Sequence, residues 1–393
     1  MEKEKVMDRI TFCIPSKDNL RYLKTCLPSI RKNSYRDDHD IIVFVDQDND
    51  GTVEWLKENA DKYKVDIILN PNLNQSRFGI GKAYDKCIEM ADTDIVMIFH
   101  ADMMLGKHAD YYAWKLLKEQ TVVCSTRVEP PLHPNAGEKI LRDFGMWPEE
   151  FKEEAFDNFV EGELQSDKVT EGIFAPWMIS KKDFNSIGGH DPILKSCRED
   201  SDLFNRMLLA GFTFKQPWNS LVYHLTGRGA GSFSGDEQRH KEWQQEMNNS
   251  TREFIRKWGS GVLHEPLMKP IVAPKYNIGL IVVNCNEKLI EVLEPWCDIL
   301  RVDCDFTNYI KEEQPNTAFN LQEKVVKYEN DNKSTDIFIT IDGEKFSNED
   351  FQYIQQMSQI IQDSGQEGEV YHLGNLVVKI NKKKEYQENL IKL

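Results

Sequence analysis

The sequence predicts an α/β protein, with a large, mostly parallel sheet flanked by helices and a smaller α/β domain after it. Three observations predict this. Short apolar runs alternate with segments whose apolar residues recur at helical spacing, a pattern typical of parallel sheets with helices on both faces. The 393 residues are too many for one ordinary core. Three prolines, Pro266, Pro270 and Pro274, then separate the first alternating series from a second. We therefore predict a domain at 1–262, a linker at 263–276 and an accessory domain at 277–393.

The first 105 residues carry the clearest alternation. Buried strands are predicted at the apolar runs 10–15, 41–45, 65–69 and 95–100. Helices are predicted between them, where apolar residues recur from Leu20, from Val53 and across 79–91. Four strands with three intervening helices make a parallel sheet the expected arrangement.

After Asp102 the pattern is looser. The predicted elements are, in order, a helix at 110–119, a strand at 122–128, an edge strand at 174–179, a turn at 185–189, a helix at 199–210, a strand at 221–224 and a helix at 236–258. The strand at 174–179 is placed at a sheet edge because Pro176 has no backbone N–H to donate. Asp202 is expected to cap the helix at 199–210 or to pair with Arg206.

The second domain repeats the alternation on a smaller scale. Strands are predicted at 278–283, 299–302 and 337–341, with a helix at 351–361 and a hairpin whose strands flank Gly374-Asn375. No catalytic set of residues is evident in this domain. Two alternatives stay open for it, namely acceptor binding and self-association into a homo-oligomer.

Composition excludes some partners. The net charge of −16 argues against nucleic acid, whose phosphates require a surplus of Lys and Arg. The eight cysteines have no C-x-x-C spacing, which favours reduced thiols over disulfides or a zinc site. No signal peptide and no run of ~18 apolar residues is present. We therefore expect a cytoplasmic protein without a transmembrane segment.

The run at 95–99 leads directly into His100-Ala101-Asp102, two metal-ligand types separated by one small residue. Ligands of open α/β sheets collect outside the carboxyl ends of the strands. In an extended chain, alternation sends His100 and Asp102 to the same side and Ala101 back into the sheet. The sequence therefore predicts a site where a cation and a substrate meet. Asp-x-Asp spacings are frequent elsewhere in this chain, so the position after a buried strand gives the pattern its weight.

Further motifs follow one another in a recognisable order. They are Pro15-Ser16-Lys17-Asp18, Val45-Asp46, Gly79, Asp85, His100-Ala101-Asp102, Ile187-Gly188-Gly189, Arg198-Glu199-Asp200, His224 and Lys257-Trp258-Gly259. In this order and at these spacings, residues 8–260 resemble the family 2 glycosyltransferases of the GT-A fold, which use nucleotide sugars. The resemblance implies a GT-A catalytic domain of the hexosyltransferase type, a UDP-sugar donor, a glycan or other hydroxyl acceptor, and bound Mn²⁺ or Mg²⁺.

The resemblance also implies roles for individual residues. Asp102 and His224 are the expected metal ligands, and His100 departs from the family, which usually has an acid there. Asp200 is the expected general base of an inverting transfer, and Glu199 is expected to orient the acceptor. The residues implied to bind the donor are Pro15, Asp18, Asp46, Arg77, Gly79, His100 and Arg228. Of these, Asp46 is expected to accept a hydrogen bond from the nucleotide base.

Other interpretations compete with these. The acids of Arg198-Glu199-Asp200 also suit a simple helix cap. A sugar-nucleotide pyrophosphorylase would need a Gly-rich basic loop after the first strand, which Pro15-Ser16-Lys17-Asp18 does not supply. A retaining mechanism stays open. His100 also keeps open a catalytically degenerate protein that binds carbohydrate without transferring it.

Overall fold

The computed structural model describes residues 6–226, 237–328 and 334–384. The chain divides into two compact units, one comprising residues up to Glu246 with His264–Pro270, and the other Met247–Leu263 with Ile271 onwards. The boundary falls inside a long helix. The bounds 1–262 and 277–393 stay a prediction about domains that fold independently.

The first unit is a layered α/β structure. Its strands are β1 (Thr11–Lys17), β2 (Asp40–Gln47), β3 (Val65–Leu69), β4 (Ile95–Ile98), β5 (Met103–Leu105), β6 (Thr121–Cys124), β7 (Thr126–Glu129), β8 (Ile140–Leu141), β9 (Val169–Thr170), β10 (Trp177–Ser180), β11 (Thr213–Pro217) and β12 (Leu221–His224). Its helices are α1 (Leu20–Asn33), α2 (Thr52–Tyr63), α3 (Ile80–Met90), α4 (Ala109–Trp114), α5 (Glu153–Glu163), α6 (Lys181–Ile187) and α7 (Glu199–Leu209). Helix α8 (Glu237–Trp258) contains the unit boundary.

The main sheet has eight strands in the order β3-β2-β1-β4-β10-β6-β11-β9. Strands β1 to β4 are all mutually parallel, as the alternation at 1–105 predicts. The prediction of an edge strand at 174–179 was wrong, because β10 lies between β4 and β6. The strand begins at Trp177, so Pro176 lies before the ladder and its missing N–H interrupts no pairing.

Both faces of this sheet are buried against helices. On one side of β1, Phe12 and Ile14 pack with Leu23 of α1. On the other side, Cys13 packs with Ala83 of α3. The period-two alternation of a strand thus supplies two apolar surfaces, which explains why the strands read as continuous apolar runs.

A second, four-stranded sheet has the order β5-β12-β7-β8. The single strand predicted at 122–128 is in fact β6 and β7, which belong to different sheets. Ser125 lies between them, and its N–H donates to the Pro176 carbonyl at 3.0 Å. The predicted turn at 185–189 is also partly helical, since α6 continues to Ile187 before Gly188 and Gly189 adopt positive φ.

The second unit contains a six-stranded sheet in the order β17-β16-β15-β18-β20-β19. These strands are β15 (Ile278–Val283), β16 (Ile299–Val302), β17 (Val325–Lys327), β18 (Ile337–Asp342), β19 (Val370–Leu373) and β20 (Leu376–Ile380). Its helices are α9 (Glu287–Leu293), α10 (Thr307–Glu313), α11 (Leu321–Lys324) and α12 (Asn348–Ser364). A small ribbon pairs β13 (Leu263–His264) with β14 (Pro270–Ile271). The predicted strands, helix and hairpin are therefore all present in this unit.

A buried ion cluster supports the second unit. The Arg256 guanidinium contacts Glu294 at 2.6 Å and also Glu313, and Lys324 contacts Glu294 at 2.6 Å. Burial alone would raise the pKa of Glu294, but Lys324 and Arg256 lower it to about 2. Removing one partner would leave a buried charge unpaired, which would strongly lower the free energy of unfolding. Among the described residues, no helix is long and apolar enough to cross a membrane.

Candidate metal and nucleotide site

Three side chains singled out in the sequence lie together. Strand β4 ends at Ile98, and a turn between β4 and β5 carries His100 and Asp102. The turn is closed by the Met103 N–H, which donates to the His100 carbonyl at 3.2 Å. The predicted extended conformation is therefore wrong. The predicted convergence nonetheless occurs, since ligand atoms of His100, Asp102 and His224 all lie within 4.8 Å of one another.

Sheet register explains how His224, more than a hundred residues away, reaches this turn. Strand β12 runs antiparallel to β5, and His224 is the partner of Met103. The ladder extends one step further, where the Leu225 N–H donates to the Asp102 carbonyl at 3.1 Å. The His224 Nε2 consequently lies 3.6 Å from Asp102 Oδ1.

A buried carboxylate holds the other side of the His224 ring. Strands β12 and β7 are parallel, with Tyr223 opposite Val128, so the next residues, His224 and Glu129, are neighbours. The His224 Nδ1 lies 2.8 Å from Glu129 Oε1. Burial raises the pKa of Glu129, but the hydrogen bond from His224 and the charges around it bring that pKa well below its usual range. The sequence analysis did not identify Glu129, which directly follows the strand predicted at 122–128 and in the structure is the last residue of β7.

His100 has the protonation state that a ligand needs. Desolvation of its imidazole lowers the pKa to about 4; His224 acts in the same direction and Asp102 opposes it. The ring is thus neutral at neutral pH, with a nitrogen lone pair available.

The donor set fits a divalent transition metal. Two imidazoles and one carboxylate form a mixed nitrogen and oxygen donor set of the kind that holds such metals. Asp102 and His224 are also buried, which keeps their ligand atoms in place. Within the described ranges this is the one cluster of three such residues with ligand atoms this close.

The cluster opens onto a cavity of about 220 Å³ at the carboxyl ends of β1, β2 and β4. Its lining comprises Pro15, Ser16, Lys17, Asn19, Asp46, Arg77, Ile80, Ala83, Tyr84, His100, Ala101, Asp102, Ser196 and His224. The buried Ser16 Oγ and Asn19 Oδ1 have no hydrogen-bond partner in the described part of the chain. Buried polar atoms without partners are rare, so these two indicate where a polar ligand belongs.

Lys17 also lines the cavity, and the sequence analysis named it only as part of a motif. Burial lowers the pKa of its ammonium, with the nearby Arg77 acting in the same direction. No described residue forms an ion pair with Lys17 within 4.0 Å. Arg77 already pairs with Asp46 and Glu246, so the charge that favours an anionic ligand at this part of the wall is mainly that of Lys17.

Asp46, which the resemblance implies in base recognition, is largely engaged by the protein. Its Oδ1 accepts the Phe78 N–H at 2.7 Å and the Asn70 amide at 2.9 Å. Its Oδ2 accepts the Gly79 N–H at 3.3 Å. Asp46 therefore lines the cavity and also ties the end of β2 to the entrance of α3.

Arg77 and Gly79 complete this connection. The Arg77 side chain lies between Asp46, 3.5 Å from its Nε, and Glu246, which its Nη1 contacts. Gly79 does not line the cavity. It has a φ of +96°, and a Cβ there would lie 2.9 Å from the Lys195 carbonyl oxygen, so only glycine fits.

Two other predicted donor residues lie outside the cavity wall or outside the described structure. The Asp18 carboxylate accepts the Asn49 N–H at 2.6 Å and the Asn49 amide at 3.2 Å, and it does not line the cavity. Pro15 does line it. Arg228 and most of the glycine-rich segment around it lie outside the described residues.

The predicted catalytic acids lie at the start of α7, next to the cavity wall residue Ser196. Asp200 is exposed and accepts the Ser201 N–H at 2.6 Å, and its negative charge acts on His100. Glu199 is buried, and its Oε2 has no partner among the described residues. Burial first, and then the charge of Asp200, raise the pKa of Glu199 to about 8. Neither acid lines the cavity itself.

The remaining motif residues have structural partners. Asp85 accepts the His190 N–H at 3.1 Å and contacts the His190 ring at 2.7 Å. A Cβ on Gly189 would lie 2.9 Å from Asp85, which connects two of the motifs directly. Asp202 pairs with Arg206 at 2.9 Å, one of the two roles expected for it.

Part of the first unit matches a known protein family. Residues 11–188 match the family described as Glycosyl transferase family 2. No sequence among the curated proteins matches the chain. Among solved structures, a match is the "Crystal structure of GalNAc-T7 with UDP, GalNAc and Mn2+", at 10% identity and a TM-score of 0.44. It covers 64% of this chain and 51% of the other, so this chain spans about half the length of that protein. The large sheet and the further sheet unit agree with the predicted GT-A architecture.

Proposed function

We propose that the protein is a metal-dependent glycosyltransferase, because residues 11–188 match the family described as Glycosyl transferase family 2. It moves a sugar from a nucleotide sugar, with a UDP-sugar as our proposed donor, to a hydroxyl of a glycan or another acceptor. The observation that supports this most directly is the cluster of His100, Asp102 and His224 at the wall of a cavity that also contains Lys17 and Arg77.

The charge pattern of the cavity suits a nucleoside diphosphate. Lys17 and Arg77 bring two cations to the wall that also contains the ligand cluster, and Asp46 and Glu246 partly neutralise Arg77. His100, Asp102 and His224 would hold Mn²⁺ or Mg²⁺, which would supply positive charge to the departing diphosphate. Ser16 and Asn19, with their unpartnered oxygens, provide hydrogen-bonding groups for the nucleoside.

The reaction that we propose is a single displacement with inversion. The acceptor hydroxyl oxygen attacks the anomeric carbon, the bond from that carbon to the diphosphate oxygen breaks, and the hydroxyl proton passes to Asp200. Asp200 is an exposed carboxylate in the first turn of α7, a type of side chain that can act as a general base. Glu199, whose pKa is about 8, carries a proton at neutral pH and can donate a hydrogen bond to the acceptor.

A thermal-shift panel tests the donor site. It combines UDP, GDP or CDP, or their sugars, with Mn²⁺, Mg²⁺ or EDTA. A ligand that binds only the folded protein at ~100 times its Kd stabilises it by about 2.7 kcal/mol. We expect a rise in melting temperature with UDP and Mn²⁺ that EDTA abolishes and that Asp102→Asn loses. The exposed Asp92 provides the control Asp92→Asn, which should respond like the wild type.

The same panel, followed by an assay for sugar transfer, separates the alternatives. A metal-dependent shift with GDP in place of UDP would identify guanine, not uracil, as the nucleobase of the donor. The proposal that the protein is a glycosyltransferase would still stand. The absence of any shift with all nucleotides would contradict the proposed donor site. Glycan binding without nucleotide binding would then support the degenerate carbohydrate-binding protein.

A further inference from the structure

We propose that Glu129 is a positioning residue that fixes the tautomer and orientation of His224 for metal binding. This inference rests on the proposed function, since it concerns the same metal site.

A hydrogen bond joins the His224 ring to the Glu129 carboxylate. The His224 Nδ1 lies 2.8 Å from Glu129 Oε1. A carboxylate oxygen only accepts, so Nδ1 carries the proton and donates it. The lone pair of the neutral ring is then on Nε2, the atom that lies 3.6 Å from Asp102 Oδ1. Metal-binding histidines are commonly held in this way by a carboxylate on the other ring nitrogen.

Two cationic side chains hold the Glu129 carboxylate in place. Its Oε2 accepts a hydrogen bond from the Lys139 ammonium at 2.8 Å, and Arg127 contacts Oε1 at 3.3 Å. The Glu129 side chain is 1% exposed and Lys139 is 6% exposed. Both carboxylate oxygens are therefore fixed by partners, which prevents the carboxylate from rotating away from His224.

A second buried pair shows what a purely structural contact looks like. The His39 Nε2 lies 2.8 Å from Asp110, and both side chains are fully buried. However, the other ring nitrogen of His39 accepts the Ile10 N–H at 3.2 Å. Both nitrogens of His39 are thus used within the protein, whereas His224 directs Nε2 toward the candidate metal ligands. This pair provides a matched control.

The experiment measures Mn²⁺ affinity by titration calorimetry on the full chain. The variants are Glu129→Leu, which removes the acceptor, the double variant Glu129→Leu with Lys139→Met, and the control Asp110→Asn. The double variant removes the buried Lys139 charge that the single change leaves unpaired. We expect both Glu129 variants to bind Mn²⁺ about 10 to 100 times more weakly, and Asp110→Asn to bind like the wild type. In metal-free protein with ¹⁵N-labelled histidine, NMR should show the Nδ1–H tautomer of His224, and this signature should be lost in the Glu129 variants.

The outcomes separate the two proposals. Wild-type protein that binds Mn²⁺, with unchanged affinity in both Glu129 variants, would overturn the role of Glu129 and leave the metal site standing. Equal weakening by Asp110→Asn would also overturn it, since the effect would then be general destabilisation. Wild-type protein that binds no Mn²⁺ would overturn the metal site and this inference with it.

Discussion

The Asp46 Oδ1 lies 2.7 Å from the backbone nitrogen of Phe78, and this contact joins the end of β2 to the segment that enters α3. The same carboxylate accepts the Gly79 N–H and the Asn70 amide. Asp46 is 3% exposed, so these bonds are made in a largely dehydrated setting. Asp46, which is expected to recognise the nucleotide base, therefore also helps to hold the segment that places Arg77 at the cavity.

We expect Asp46→Ala to lower both stability and nucleotide affinity. Two backbone N–H groups would lose their acceptor, at a cost of about 2 to 3 kcal/mol in the free energy of unfolding. Urea denaturation checks the stability, and calorimetry with UDP and Mn²⁺ checks the affinity. The exposed Asp61 provides the control Asp61→Ala, which should alter neither. An Asp46→Ala protein as stable as the wild type would contradict the role of Asp46 in joining β2 to the entrance of α3.

The sequence predicted the part of the fold that local patterns determine. Strands β1 to β4 could be found because burial on both faces produces continuous apolar runs. Asp102 could be found from its position just after a buried strand, but His224 required the resemblance, because only a motif order connects residues that far apart. Their approach depends on the pairing of β12 with β5, and sequence periodicity carries no information about such a register.

The sequence analysis missed Glu129 and gave Lys17 no role of its own, for the same reason. Glu129 and Lys17 have ordinary side chains at strand ends, and their importance depends on which strands become neighbours. Glu129 lies beside His224 only because β7 and β12 pair in parallel with one particular register. The misplacement of β10 has a different cause, since the rule about proline applies within a ladder and Pro176 precedes it.

We expect Lys17→Met to weaken nucleoside diphosphate binding without destabilising the protein. The ammonium is partly buried and close to Arg77, so its removal relieves burial of a charge and repulsion between like charges. The affinity for UDP with Mn²⁺ should fall about tenfold, which corresponds to loss of ~1.4 kcal/mol. Titration calorimetry at two salt concentrations measures this, and the salt dependence should be weaker in the variant.

Lys24 provides the matched control for Lys17. It lies exposed on α1, so Lys24→Met changes net charge by the same amount without changing the cavity. Equal loss of UDP affinity in both variants would show that overall charge, and not the position of Lys17, determines binding.

We expect Asp200→Asn to lose sugar transfer while donor binding is retained. An amide cannot take the acceptor proton, and Asp200 lies outside the cavity wall that we assign to the nucleotide. The expected decrease in kcat is about 100-fold or more. Transfer from a UDP-sugar is measured alongside calorimetric UDP affinity, and the exposed Asp92 again supplies a control in Asp92→Asn. Transfer at the wild-type rate would exclude Asp200 as the base.

The pKa of Glu199 predicts how stability changes with pH. In the folded protein, burial and the neighbouring Asp200 raise this pKa to about 8, from an ordinary value of 4.5. Between these two values the unfolded chain releases the proton while the folded protein retains it. The unfolded state therefore binds fewer protons, and the free energy of unfolding decreases as the pH rises from about 5 to about 8. The contribution of Glu199 is fully present below pH 4.5 and is lost above its folded pKa.

Glu199→Gln should remove this dependence, because glutamine stays neutral across the range. Relative to the wild type, the variant should gain stability on going from pH 5 to pH 9, by an amount on the order of 3 kcal/mol. Urea denaturation at one-unit pH intervals measures the difference. The control Glu58→Gln changes an exposed residue on α2, and its free energy of unfolding should depend on pH as that of the wild type does. If Glu199→Gln also behaves like the wild type, Glu199 titrates normally, and the protonated acid that we assign to the acceptor side of the site is absent at neutral pH.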